Sequence, residues 1–193
     1  MKSSVTDSND LHKQILLTSA KLFVERGYKG LSMREIAEAL GVSKASLYYH
    51  FKDKEDLFLA ILVDSIEQLG DLVRLAKNVD GTARDKVRFF FHKIAKDKTQ
   101  RRGVMRLAEH EAVHLSKESQ KAMRELYYKN FPAQLEDILR EGQANSELRD
   151  FDVQLGARVL LGLALPLLSV KKKDLDATVD LLESIFFDGT LLR

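Results

Sequence analysis

Residues 32–57 read SMREIAEALGVSKASLYYHFKDKEDL. Ser32 and Glu35 have the S-x-x-E spacing of a capping box, in which each side chain bonds a backbone N–H of the other residue, so a helix is expected to start there. Ile36, Ala37 and Leu40 supply its inner face. Gly41 ends it, because glycine takes positive φ without strain. Ser43 then caps a short helix, Lys44 to Phe51, and Asp53 caps a long one running to about Lys77. Ala37 is small where two helices must cross closely, and Ile36, Leu40, Val42, Leu47 and Phe51 pin the pair to its surroundings. Two short helices joined in this way form a helix-turn-helix, the arrangement that sets its second helix into the major groove of duplex DNA.

The outer face of that second helix carries Lys44, Ser46, Tyr48, Tyr49 and His50, and no acidic residue occurs from Val42 through Lys52. A solvated surface helix mixes both signs of charge, whereas one that approaches phosphates avoids carboxylates. The competing reading is a helical hairpin with its tyrosines packed inward.

Upstream, Ile15, Leu16, Ser19, Leu22 and Phe23 share one face of a helix from about Asp10 to Arg26, stopped by Gly27. Residues 1–10 are polar and are expected to be a disordered tail; no signal peptide opens the chain. Downstream, Asn78 to Gly81 reads as a loop. Helices are expected over Thr82–Lys98, Arg102–Leu115, Lys117–Asn145, Phe151–Val170 and Leu175–Phe187, about nine in all. No strand pattern and no internal repeat is evident.

Composition agrees with an all-α protein. Only two prolines, Pro132 and Pro166, interrupt 193 residues, and 45% of them are hydrophobic, enough for a sizeable core. The absence of cysteine excludes a disulfide scaffold, a thiolate metal site and a cysteine nucleophile. The longest apolar run, Val159 to Val170, is too short to cross a bilayer, so a cytoplasmic protein with no membrane partner is expected. Residues 1–54 hold nine Lys/Arg and six Asp/Glu, a net +3, while the remainder is −1. This mild asymmetry is compatible with nucleic acid at the N-terminal end.

Ile15 to Leu57 resembles the DNA-binding domain of the TetR family, through L-F-x-x-x-G-Y-x-x-L-S-M-R-E-I-A-x-x-L-G-V-S-K-x-x-L-Y-Y-H-F-x-x-K-E-x-L. Met33 departs from the family's more usual threonine or β-branched residue. The resemblance implies a three-helix DNA-binding domain over 11–54 and a larger helical effector-binding and dimerisation domain over 55–193. It implies a homodimeric regulator of transcription, most often a repressor, released from double-stranded operator DNA by a small molecule; it implies neither an enzyme nor a cofactor. By the same resemblance, Arg34 reads guanine, Lys44, Ala45 and Ser46 face base edges, and Tyr49 meets thymine methyls or sugar. Ser32, Ser43, Tyr48, His50 and Lys54 correspond to phosphate contacts. The chemistry agrees, since hydroxyls and ammonium groups suit phosphate oxygens and a guanidinium fork suits guanine O6 and N7.

The pattern of the last two helices is compatible with the dimerisation that the family implies, and a homodimer through them is expected. VLLGLALPLLSV, residues 159–170, is apolar around most of its circumference. The final helix carries Leu175, Val179, Leu182, Ile185, Phe186 and Leu191, and Gly156, Ala157, Gly162 and Ala164 would permit close approach. A purely intrachain core is the alternative. Lys171 to Lys173 reads as a solvated loop. For an effector pocket the candidates are Phe89, Phe90, Met105, Leu107, His110, Tyr127 and Phe131, apolar or aromatic with occasional polar tips; core packing accounts for them equally well.

One motif belongs to another chemistry. His110-Glu111-Ala112-Val113-His114 matches H-E-x-x-H, which on a helix sets two histidines on one face for zinc, with the glutamate as base. The extended form with a third histidine is absent, and Glu118 or Glu136 would have to serve as third ligand. Against the long helix-turn-helix match these five positions weigh little, so no metal is expected, with His110 and His114 as the only candidates.

Overall fold

The computed structural model describes residues 3–96 and 101–188. They form α1 (Ser3–Arg26), α2 (Met33–Leu40), α3 (Lys44–His50), α4 (Lys54–Lys77), α5 (Ala83–Lys96), α6 (Arg101–Glu111), α7 (Lys117–Asn130), α8 (Pro132–Ala144), α9 (Val153–Ala164) and α10 (Leu175–Phe187). Short 3₁₀ turns occupy Ala112–His114, Leu165–Leu168 and Lys172–Asp174. The described residues contain no β-strand, and the all-α class expected from the sequence is the class observed.

The helices number ten among the described residues rather than nine, and several boundaries move. The stretch expected as one helix over 117–145 is two, because Pro132 has no N–H to donate and its ring crowds the preceding turn. Phe131 leaves helical geometry at φ −128°, ψ −75°, and α8 restarts with the proline in its first turn. Pro166 likewise converts the end of the expected 151–170 helix into the 3₁₀ turn after Ala164. At the other end, residues 3–10 are not a disordered tail but the start of α1. No glycine or proline interrupts the helix before Gly27, which stops it at φ 74°.

The chain divides into two compact units. One holds residues 3–65 and 101–124, the other 66–96 and 125–188. The boundary drawn at residue 54 is therefore not where the packing divides. The first turns of α4 bury Leu57, Phe58, Ile61 and Leu62 in the first unit, where α6 also contributes Val104 and Leu107. That core is completed by Ile15 and Phe23 of α1, Ile36 of α2, Leu47 of α3 and Leu115.

In the second unit α5 packs on α10 and α8 on α9. Its core includes Val73, Phe90, Phe91, Leu135, Ile138, Leu160, Val179 and Phe187. A ladder of charge runs along the α5–α10 contact. Arg88 Nη1 donates to the buried Glu183 at 2.8 Å and Arg88 Nη2 to Asp180 at 2.7 Å, while Arg84 pairs with Asp188 at 3.3 Å. Burial raises the Glu183 carboxyl above its ordinary value, and the two arginines oppose that shift.

Candidate nucleic-acid interface

Local chemistry fixes the two helices of the motif. The Ser32 Oγ accepts from the Glu35 N–H at 3.3 Å, and the Glu35 carboxylate accepts from the Ser32 N–H at 2.9 Å and the Ser32 hydroxyl at 2.7 Å. Arg26, at the end of α1, donates to the other oxygen of Glu35 and to the Gly30 carbonyl. Gly41, at φ 67°, closes α2 in the left-handed region, where a side chain would strain the backbone. Ser43 then accepts from the Ser46 N–H at 3.0 Å and starts α3.

Hydrogen bonds from Ser32, first its hydroxyl, and from Arg26 hold the Glu35 carboxyl at about 2, against an ordinary 4.5. A depressed carboxyl pKa stabilises the fold above the unfolded value and loses that contribution as pH falls toward the folded one. Glu35→Gln is therefore expected to lower the thermal midpoint near neutral pH. Its deficit relative to the unmodified protein should shrink between about pH 4.5 and pH 2. A pH-independent deficit in circular dichroism melts would contradict this.

The α3 surface is open. Tyr49 is 83% exposed and Tyr48 43%. Lys44 and Ala45 are exposed, and Ser46 and His50 half-buried. The Lys44 ammonium lies 5.6 Å from the Tyr48 ring centre, and the Tyr49 and His50 rings meet edge to face at 5.3 Å. The inner side of the helix is Leu47, fully buried, so the hairpin with inward tyrosines is not what forms. Arg34 projects from α2 into solvent, its Nε 2.8 Å from Glu38. Reading a base would require this exposed pair to open, a small cost for two solvated groups.

Lys54 departs from expectation. Its ammonium donates to the carbonyls of Tyr28 and Leu31, each at 2.9 Å, and stands 4.3 Å from the Tyr28 ring centre. The residue expected at a phosphate instead ties the start of α4 to the α1–α2 turn. The next residue, Glu55, accepts from the Ser116 N–H at 2.9 Å and the Ser119 hydroxyl at 2.8 Å, and so caps α7. Neither Tyr28 nor Glu55 was singled out from sequence, since their partners lie far along the chain.

The effector-pocket candidates do not converge. Phe90 and Phe131 are buried in the second unit, with ring centres 5.7 Å apart, and Tyr127 stands 5.7 Å from Phe131. Phe89 is half-buried on α5, beside the ammonium of Lys93. Leu107 belongs to the core of the first unit, and His110 is exposed there. The side chain of Met105 lies outside the described residues. A cavity of about 330 Å³ opens elsewhere, lined by Leu155, Gly156, Val159 and Leu163 of α9, Ile185 and Phe186 of α10, and Arg149, Phe151 and Asp152.

The H-E-x-x-H geometry is also broken. α6 ends at Glu111, and His114 sits in a 3₁₀ turn, so the two histidines do not share a continuous α-helical face. His114 stacks on Tyr28 at 6.3 Å between ring centres, with Nε2 3.5 Å from Glu111. Among the described residues no group of three or more His, Cys, Asp or Glu side chains is placed to hold a metal.

Around that cavity α9 and α10 leave Leu155, Val159, Leu181 and Ile185 exposed, at 46–60%. Of the apolar residues named on the last helix as candidates for the dimer interface, Leu175, Val179, Leu182 and Phe186 are buried within the chain, and Ile185 is exposed. Leu191 lies outside the described residues. Gly156, expected to admit a partner, is closed by Phe151 of its own chain, and Ala157 and Ala164 are buried; Gly162 alone faces open space.

Residues 15–61 match the family model described as bacterial regulatory proteins, tetR family. Over 75 residues, 39% of this chain, the sequence is 40% identical to the HTH-type transcriptional activator FasR of Mycolicibacterium smegmatis, and the match spans 34% of that protein's length. Over 148 residues, 76% of the chain, it is 29% identical to the HTH-type transcriptional repressor KstR2 of the same organism, spanning 72% of it. Among solved structures it is similar to AibR in complex with isovaleryl coenzyme A and operator DNA, with a TM-score of 0.73 and 24% identity. That likeness covers 91% of this chain and 97% of the other.

Proposed function

We propose that the chain is a member of the TetR family of bacterial regulatory proteins and a sequence-specific regulator of transcription, a repressor released from operator DNA by a small-molecule effector. The observation that carries the reading is the carboxylate-free outer surface of α3, with Tyr49 almost fully exposed on a helix capped at Ser43 and anchored by Leu47. Lys44, Ala45, Ser46 and Tyr49 face base edges. Arg34 reads guanine once it leaves Glu38. Ser32, Ser43, Tyr48 and His50 meet phosphates; the Ser43 hydroxyl proton is not used in its bond to the Ser46 N–H, which leaves it for a phosphate oxygen. Lys54 acts indirectly, by holding the α1–α2 turn.

The protein works as a homodimer through α9 and α10, whose exposed leucine, valine and isoleucine side chains form the kind of apolar surface that marks an interface. A single short recognition helix reads few base pairs, so a two-fold pair on successive major grooves, roughly 34–36 Å apart, supplies useful specificity. An effector that prefers one arrangement of the dimer shifts that spacing. α4 contributes residues to both units, so it is the element through which the effect travels. The solved complex of AibR with isovaleryl coenzyme A and operator DNA supports an acyl thioester as the first effector class to try. The protein acts in the cytoplasm; no helix among the described residues is long and apolar enough to cross a membrane.

Tyr49→Ala and Arg34→Ala are each expected to weaken binding to an operator fragment by about 1–3 kcal/mol in fluorescence anisotropy. Unchanged affinity in both variants would remove the assignment of α3 and α2 as the reading surface.

A further inference from the structure

A row of rings leaves the recognition helix and continues onto α1. Tyr49 meets His50 at 5.3 Å, His50 lies 5.8 Å from His12, and His12 stacks on Phe51 at 5.0 Å with an interplanar angle of 28°. Phe51 is buried and caps α3, so the stack fixes His12 beside the C-terminal end of that helix. His12 and His50 are both half-buried.

Resting on the DNA-binding reading above, we infer that His12 is a further phosphate-facing residue, which together with His50 makes DNA affinity rise as pH falls. Imidazole is the side chain whose ordinary titration lies between pH 5 and 8. A phosphate oxygen against the pair favours both charged forms. Bound protein therefore holds more protons than free protein, and by linkage acid tightens binding.

The other charged groups nearby do not reverse this sign. On α1 the neighbours in sequence are Asp10 and Lys13; on α3 the near group is Tyr49. In the turn and at the start of α4, Asp53 accepts from the Asp56 N–H and Asp56 from the Lys52 N–H, each at 2.9 Å, so both carboxylates already have backbone partners. Lys52 is exposed, and Lys54 is held by the Tyr28 and Leu31 carbonyls.

Phosphate contacts are independent of sequence, so a fluorescein-labelled random duplex of about 30 base pairs at low salt is a sufficient probe. Each linked proton changes affinity by at most about tenfold per pH unit. The unmodified protein is expected to bind about tenfold more tightly at pH 6 than at pH 8, and His12→Gln only about threefold more tightly. His12→Lys, which carries a fixed charge at the same place, should bind at pH 8 more tightly than the unmodified protein and show the reduced pH dependence. An unreduced pH response in His12→Gln, or weaker binding by His12→Lys at pH 8, overturns the role of His12 while leaving α3 as the DNA surface. No binding of any duplex by the unmodified protein at any of these pH values overturns the DNA-binding reading itself.

Discussion

Leu181→Glu combined with Ile185→Glu is expected to turn the proposed dimer into a monomer of 22.0 kDa in analytical ultracentrifugation. Both side chains lie on the outer face of α10, at 60% and 57% exposure, so the change removes nothing from the chain's own core. Ile185 also shares the rim of the 330 Å³ cavity with Leu155 and Val159 of α9, which makes one apolar surface of two helices. Each partner of a stable dimer covers about 800 Å² of surface, and carboxylates introduced there lose water without gaining a cation. Helical content should remain. Operator affinity should fall by about 100-fold or more, because the second recognition helix no longer binds at the high effective concentration its twin provides. A doubly substituted protein that sediments as a dimer would refute the α9–α10 interface.

Phe23→Ala should have the largest effect on stability, about 3–5 kcal/mol in urea unfolding followed by circular dichroism. Phe23 is wholly buried. Its ring stands edge-on to Phe58 of α4 at 5.2 Å and stacks with Tyr28 at 6.0 Å. Truncation leaves a hole among α1, α4 and the α1–α2 turn, whose carbonyls Lys54 holds, so DNA binding should decline together with stability. A domain has only about 5–15 kcal/mol to lose. A measured loss below about 1 kcal/mol would mean that the neighbouring rings close the gap.

The motif itself was legible because its determinants are local. Ser32 with Glu35, Gly41, Ser43 and the spacing of Ile36, Leu47 and Phe51 all act within a few residues, and the structure keeps each of them. The missed features depend on partners far along the chain. Lys54 has the composition of a phosphate ligand, but carbonyls 23 and 26 residues earlier engage it. Both faces of α10 are apolar, so periodicity alone does not separate the buried Leu182 and Phe186 from the exposed Leu181 and Ile185. The H-E-x-x-H reading assumed a continuous helix that stops at Glu111. Pro132 is a local signal that a helix over 117–145 must break, since proline cannot donate to the preceding turn. The effector candidates were chosen for side-chain type alone, and tertiary packing distributes them between two cores.

The first compact unit is assembled from two pieces of chain, since α6 and the start of α7 join residues that come long before them. If α3 reads DNA as proposed, its specificity is thus not a detachable cassette. A chimera that transplanted residues 1–65 onto the remainder of another regulator would arrive without Val104, Leu107 and Leu115, and without the serines that Glu55 caps. Exchange of operator preference between relatives has to proceed by point changes on α3, or to carry both pieces together.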